Sequence, residues 1–265
     1  VFEPHFTLGI SSHDTRRMPK HFRIGTWNLE RSGVDRIARI PKQLDTIRRL
    51  NADLWVLTET HSAVALEGYH HVSSARHPDY HRKGESCVAI WSRWPMQIIR
   101  TADPILTVCA QFQTPFSARK MITYGTIITY GGDGVREGEA RPWERHRAAV
   151  QEQTAEWLKL RQQYSDHELC VAGDFNENLD GTRWYGVADA KIAIKRGLAE
   201  AQMRCATLND LRAPPFAMSR ATVNHICLSQ TLRATSRVEA WEGTLDGMHL
   251  SDHNGILVDL EIPDV

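Results

Sequence analysis

Leu169-Cys170-Val171-Ala172, followed at once by Gly173-Asp174-Phe175-Asn176, reads as a buried strand whose exit carries two polar side chains. The arrangement recurs along the chain. Phe22-Arg23-Ile24-Gly25-Thr26-Trp27 alternates apolar and polar residues and ends in Asn28, Leu54-Trp55-Val56-Leu57 delivers Thr58 and Glu59, and the strand-like run 255–262 is preceded by Ser251-Asp252-His253-Asn254. Ile40, Leu44, Ile47 and Leu50 sit at helical spacing, with Pro41 in the first turn, where its missing N–H does no harm, and Asn51-Ala52-Asp53 as the break. Residues 142–164 carry Val150, Thr154, Trp157, Leu158 and Arg161 at the same spacing and predict an amphipathic surface helix; a further helix is expected over 187–201. The runs 84–92, 96–100, 105–112 and 121–130 read as adjacent, antiparallel strands with Trp94-Pro95 as a turn, and 223–228 as one more strand. Strands and helices follow a comparable order in both halves, which favours two stacked sheets with helices outside over two separate domains.

Composition sets the outer limits. A chain of 265 residues with 42% apolar and 24% charged residues is neither disordered, collagenous nor coiled coil. Thirty-two basic residues balance 32 acidic ones, so any polyanion must be held by a local patch and not by bulk charge. The five cysteines (Cys87, Cys109, Cys170, Cys205, Cys227) are odd in number, widely spaced and without a C-x-x-C pair, and read as reduced thiols. The first 17 residues have no periodicity and no apolar signal core, and no run is long and apolar enough for a bilayer. The expectation is an N-terminal extension over 1–17, a single domain over 18–265, and a soluble cytoplasmic protein with no membrane or protein partner.

In a layered fold the exits of neighbouring strands converge on one rim, so Asn28, Glu59, Asp174, Asn176, Asp252 and His253 can meet there although they are distant in sequence. Hard oxygen ligands with few thiolates suit Mg²⁺ or Mn²⁺, ions that favour phosphoryl chemistry by neutralising non-bridging oxygens. Taken singly, each of these residues is more simply a turn former.

The runs Thr26-Trp27-Asn28-Leu29, Thr58-Glu59, Gly173-Asp174-Phe175-Asn176 and Ser251-Asp252-His253, in this order over about residues 22–262, resemble the motifs of the endonuclease/exonuclease/phosphatase superfamily, the DNase I-like phosphodiesterases. Val88-Ala89-Ile90-Trp91-Ser92-Arg93 after Gly84 is similar to a further strand of that family. The resemblance implies an α/β protein, a four-layered α/β/β/α sandwich of two mixed, largely antiparallel sheets flanked by helices. It implies a metal-dependent hydrolase acting on phosphodiesters, with a nucleic acid, DNA or RNA, as the expected substrate. A small phosphoester or lipid head group is the alternative, kept open by the neutral charge. By the same resemblance, Glu59 is the principal Mg²⁺ (or Mn²⁺) ligand, with Asn28 and Asp252 near the metal or its waters. Asp174 orients or deprotonates the attacking water, Asn176 hydrogen-bonds a phosphate oxygen, and His253 stabilises the developing charge.

One position departs from the family. Asn224, in Val223-Asn224-His225-Ile226-Cys227-Leu228-Ser229, stands where the family has an Asp that orients the catalytic His, and an amide there keeps the shape but not the charge. Impaired turnover is one expectation; a binding protein that has lost it is the extreme form. Tyr130, beside Gly131-Gly132-Asp133-Gly134, is a candidate phosphate contact or a turn neighbour. Arg183 and Trp184, with Tyr185, are candidates for holding a phosphate and stacking on a base, the rival role for Trp184 being a loop anchor. Arg141, Arg145, His146 and Arg147 either line a substrate groove or form a solvated face, and His225 and His249 read as ordinary polar groups.

Overall fold

The computed structural model describes residues 20–31, 38–232 and 234–263; the segment 1–17, read as an extension, lies outside them. The chain begins with β1 (Lys20–Asn28), α1 (Arg39–Leu50), β2 (Leu54–His61), β3 (His70–Ser73) and β4 (Glu85–Ser92). It continues through β5 (Gln97–Ile99), β6 (Thr107–Phe112), β7 (Met121–Ile127), α2 (Glu144–Gln163) and β8 (Glu168–Asp174). The last third holds α3 (Ala188–Glu200), β9 (Met203–Cys205), β10 (Asn224–Ser229), β11 (Thr235–Trp241), the short pair β12 (Thr244–Leu245) and β13 (Met248–His249), and β14 (Gly255–Ile262).

Two six-stranded sheets result, in the orders β11-β14-β1-β2-β4-β3 and β5-β6-β7-β8-β10-β9. Each contains one parallel pair, β1 with β2 and β7 with β8; the remaining neighbours are antiparallel. Parallel neighbours need a crossover, and α1 and α2 supply them. Three apolar cores separate the layers. Ile40, Leu44 and Ile47 of α1 pack with Trp27, Trp55 and Leu57 on the outside of the first sheet. Ile24, Val56, Val88 and Val258 meet Val108, Ala172 and Ile226 between the sheets. Val150, Trp157 and Leu160 of α2 and Ile194 and Leu198 of α3 cover Tyr124, Val171 and Cys227 on the outside of the second. Three cores between four layers make the α/β/β/α sandwich expected above. Among the described residues no helix is long and apolar enough to cross a membrane.

One local expectation is corrected. Residues 84–92 and 96–100 were expected to be adjacent strands about a Trp94-Pro95 turn, but β4 and β5 belong to different sheets. The chain crosses between sheets here, and Trp94 packs against Phe22, Phe112 and Phe116 at that edge.

Candidate active site

The pairing of β1 with β2 ends at Asn28 opposite Thr58, so Asn28 and Glu59 emerge together from the first sheet. β2 itself continues to His61, because Thr60 and His61 still pair with Ser86 and Glu85 of β4. In the second sheet Asp174, the last residue of β8, lies between Ile127 and Asn224. The loop before β14 is held at the same rim. The Ser251 hydroxyl donates to the Asn28 carbonyl at 2.6 Å and the Trp27 indole N–H to the His253 carbonyl at 3.1 Å. From α1, the Gln43 amide donates to both the Leu29 and the Leu250 carbonyls.

One amide joins the two sheets. Asn28 Nδ2 donates to Glu59 Oε1 at 3.1 Å and to Asp174 Oδ2 at 3.0 Å, while its Oδ1 accepts the Glu30 N–H at 2.8 Å. That last bond fixes which way the amide points, so Asn28 acts on its surroundings as a donor between two carboxylates. The other oxygen of Asp174 accepts the Asn176 N–H at 2.9 Å, and Asn176 Nδ2 donates to the Ile128 carbonyl at 2.9 Å. His253 Nε2 stands 3.9 Å from Asp174 Oδ2 and 3.8 Å from Asp252 Oδ1. Burial holds the Glu59 carboxyl above its ordinary range and Asp174 pushes it further, against the opposing pull of the Asn28 amide and of Arg31, whose Nε is 3.4 Å away.

Backbone strain accompanies this placement. Glu59 and Asn176 have φ of 47° and 48°, the left-handed region that costs a non-glycine residue about 1 kcal/mol or more. Gly173 has φ of 137°, and a Cβ there would lie 2.0 Å from the Thr126 carbonyl oxygen in β7. Gly173→Ala is therefore expected to destabilise the fold by about 3 kcal/mol, since backbone must move, and to shift Asp174 next to it. Urea denaturation of the variant checks this.

Glu59, Asp174, Asn176, Asp252 and His253 line one cavity of about 730 Å³, together with Tyr130 and Trp184. Asn28 and Asn224 lie beneath it, fully buried. Asn224 Nδ2 donates to the Asn254 carbonyl at 2.9 Å and stands 3.5 Å from His253 Nδ1; its buried Oδ1 meets no donor among the described residues. Arg183 is exposed and is not in the cavity wall, which takes Trp184 and Tyr185 from that loop. Within the basic cluster Arg145 meets Asp133 and Glu139 and Arg147 meets Asp189 in ion pairs, while His146 is buried with its Nε2 3.1 Å from Glu177 Oε1. The wall also contains Arg31, Tyr80 and Arg220, which sequence reasoning did not single out. Arg31 was within reach of it, three residues beyond Asn28; Tyr80 and Arg220 arrive from loops that carry no pattern.

A hard divalent cation fits this donor set. Among the described residues no three His, Cys, Asp or Glu side chains form a cage, but Mg²⁺ keeps several waters and needs only one or two carboxylates. Glu59 and Asp252 both line the cavity, and the Glu59 carboxyl, held above its ordinary range chiefly by burial and further by Asp174, is a group whose ionised form a bound cation would favour.

Comparison with known proteins agrees with the fold. The fold is similar to the endonuclease domain of TRAS1, a telomere-specific non-LTR retrotransposon (TM-score 0.60, 13% identity, 92% of this chain and 99% of that one). It is similar also to the human nocturnin catalytic domain (0.62, 17%, 91% and 93%) and to an AP endonuclease from Leishmania major (0.64, 13%, 92% and 88%). No curated protein matches by sequence. The model of the Endonuclease/Exonuclease/phosphatase family matches residues 25–194, from the middle of β1 into α3, and the chain belongs to that family.

Proposed function

We propose that the protein is a metal-dependent phosphodiesterase that hydrolyses nucleic acid, with Mg²⁺ or Mn²⁺ held by Glu59 and Asp252. The observation that carries this reading is the buried Asn28 amide bonded at once to Glu59 and Asp174, which with His253 line a cavity that also presents arginines and aromatic rings. When bound, the cation supplies charge neutralisation at the phosphoryl oxygens. Asp174 receives the proton of the attacking water; its carboxylate is already oriented by Asn28 and Asn176. Asn176 has one amide hydrogen committed to Ile128 and a second left for a phosphate oxygen. His253, facing Asp174 and Asp252, stabilises charge on the transferred group. Tyr130, 52% exposed at the cavity, is available to contact a phosphate, and Trp184, 44% exposed with Arg212 over one face of its ring at 4.6 Å, has its other face for a base. Formal neutrality keeps a second reading, a small phosphoester or lipid head group, in play.

The test is incubation with labelled DNA, RNA and a generic phosphodiester, with Mg²⁺ or with EDTA. Metal-dependent cleavage of a nucleic acid is expected, with binding that falls steeply as salt rises; a small substrate responds mildly to salt. No metal-dependent product from any of the three, by this chain or by Asn224→Asp, overturns the reading in favour of a binding protein.

Asn224→Asp is itself informative. A carboxylate beside His253 favours its imidazolium, and the expected gain in rate is about tenfold. The same change replaces the N–H that serves the Asn254 carbonyl with an oxygen, a loss of about 1–3 kcal/mol in stability. Paired rate and denaturation measurements on the variant check both halves; equal rates remove the catalytic half.

A further inference from the structure

We propose that Cys205 and Cys227 form a redox-active thiol pair, served by His225 as base, which a hydroperoxide converts to a cross-strand disulfide. Cys205 lies on β9, the edge strand of the second sheet, directly opposite Cys227 on β10. The Ala206 N–H donates to the Ile226 carbonyl at 2.8 Å, so the adjacent Cys205/Cys227 position is a non-hydrogen-bonded pair. Cα atoms in such pairs are about 4.5 Å apart, within the range a disulfide spans.

His225 is two residues before Cys227 and therefore on the same face of β10. Its Nε2 is 2.9 Å from the Glu177 carbonyl, which can only accept, so Nε2 carries a hydrogen and Nδ1 is left as the basic nitrogen. Nδ1 stands 3.7 Å from Cys205 Sγ and 3.1 Å from the Thr207 hydroxyl. A thiol facing a ring nitrogen whose partner nitrogen is locked by a third group is the arrangement of an activated nucleophile. The Cys205 thiol is held well below its ordinary range, by the hydrogen bond from Cys227 and then by His225, against the effect of burial. Cys87 and Cys170, by contrast, are pushed up to about 12 by burial, and burial with the neighbouring Cys205 holds the Cys227 thiol well above its ordinary range, so Cys205 is the member of the pair that ionises first and Cys227 the one that keeps its proton.

With its proton on His225, the Cys205 thiolate attacks the outer peroxide oxygen. The S–O bond forms as the O–O bond breaks, and the alcohol or water leaves with that proton. Cys227 then attacks the sulfenic sulfur, S–S forms, S–O breaks and water leaves. Two thiols thus give two electrons to one peroxide.

The test is alkylation and peroxide treatment of the whole protein, read by peptide mass. Iodoacetamide at pH 7 is expected to modify Cys205 about fivefold faster in the folded protein than in urea, which exposure alone cannot produce. Hydrogen peroxide is expected to link the Cys205 and Cys227 peptides while Cys87, Cys109 and Cys170 stay alkylatable. In Cys227→Ser the reaction should stop at a dimedone-reactive sulfenic acid on Cys205. A Cys205 that alkylates no faster folded than unfolded, or peroxide treatment that leaves Cys205 and Cys227 unlinked, overturns the proposal; because both comparisons use the unsubstituted chain, a misfolded variant does not affect them.

Discussion

Asp174→Asn is expected to lower metal-dependent hydrolysis by about three orders of magnitude, the usual range for losing a positioned general base being about 10² to 10⁴. The effect should fall on kcat and not on KM. Asp174 is 1% exposed, and both its oxygens are already engaged, by Asn28 Nδ2 and by the Asn176 N–H. A carboxylate can accept both; an amide of the same shape offers one acceptor and one donor, so one of the two N–H groups then faces another donor. The structural price is bounded at about 1–3 kcal/mol, the cost of one unsatisfied buried group, and is partly offset because the change removes the repulsion with Glu59. Single-turnover rates, alongside urea melts, separate lost chemistry from lost structure. A rate within tenfold of the unsubstituted protein would show that another group takes the proton.

Much of this site was legible before the fold was known, for a definable reason. Asn28 and Asp174 end strands β1 and β8, and Glu59 lies near the end of β2; each comes after a largely buried stretch, and a continuous or alternating apolar run announces such strands. The strands that escaped reading are those with little to bury. β3, His70-His71-Val72-Ser73, is exposed except at the half-buried Val72; β9 has only three residues; and β11 is exposed over its first half. Their identity as strands comes from pairing with β4, β10 and β14, which lies far away in sequence. Charge behaved likewise: Arg145 and Arg147 look like part of a basic patch in sequence and are neutralised by Asp133, Glu139 and Asp189 in space. The orientation of Asn28 was not legible either, because it depends on a backbone N–H two residues on taking the amide oxygen. Nor could spacing show that Cys205 faces Cys227, since the strand register decides it.

Glu59→Gln is expected to abolish the stabilising effect of Mg²⁺ while making the metal-free protein more stable. The Glu59 carboxyl is raised above its ordinary range chiefly by burial, with Asp174 adding to the shift and Asn28 and Arg31 opposing it. A carboxyl with a higher pKa folded than unfolded binds its proton more tightly in the fold. Its contribution to stability is therefore most favourable in acid and is lost as pH rises through the raised folded value, so that at neutral pH the ionised group is a net burden. Gln removes that burden and retains an oxygen for the Asn28 amide, although the strained φ of 47° stays. A divalent cation relieves the same burden by another route, stabilising the native state in proportion to its occupancy. Thermal unfolding at pH 7 should thus give a higher midpoint for Glu59→Gln than for the unsubstituted protein in EDTA. Added Mg²⁺ should raise the midpoint of the unsubstituted protein only, and hydrolysis by the variant should fall by about a thousandfold, as expected for a Lewis acid that has lost its main anchor. Were Mg²⁺ to stabilise both proteins equally, the cation would be held elsewhere, and Glu59 would be an acidic neighbour of the site and not its ligand.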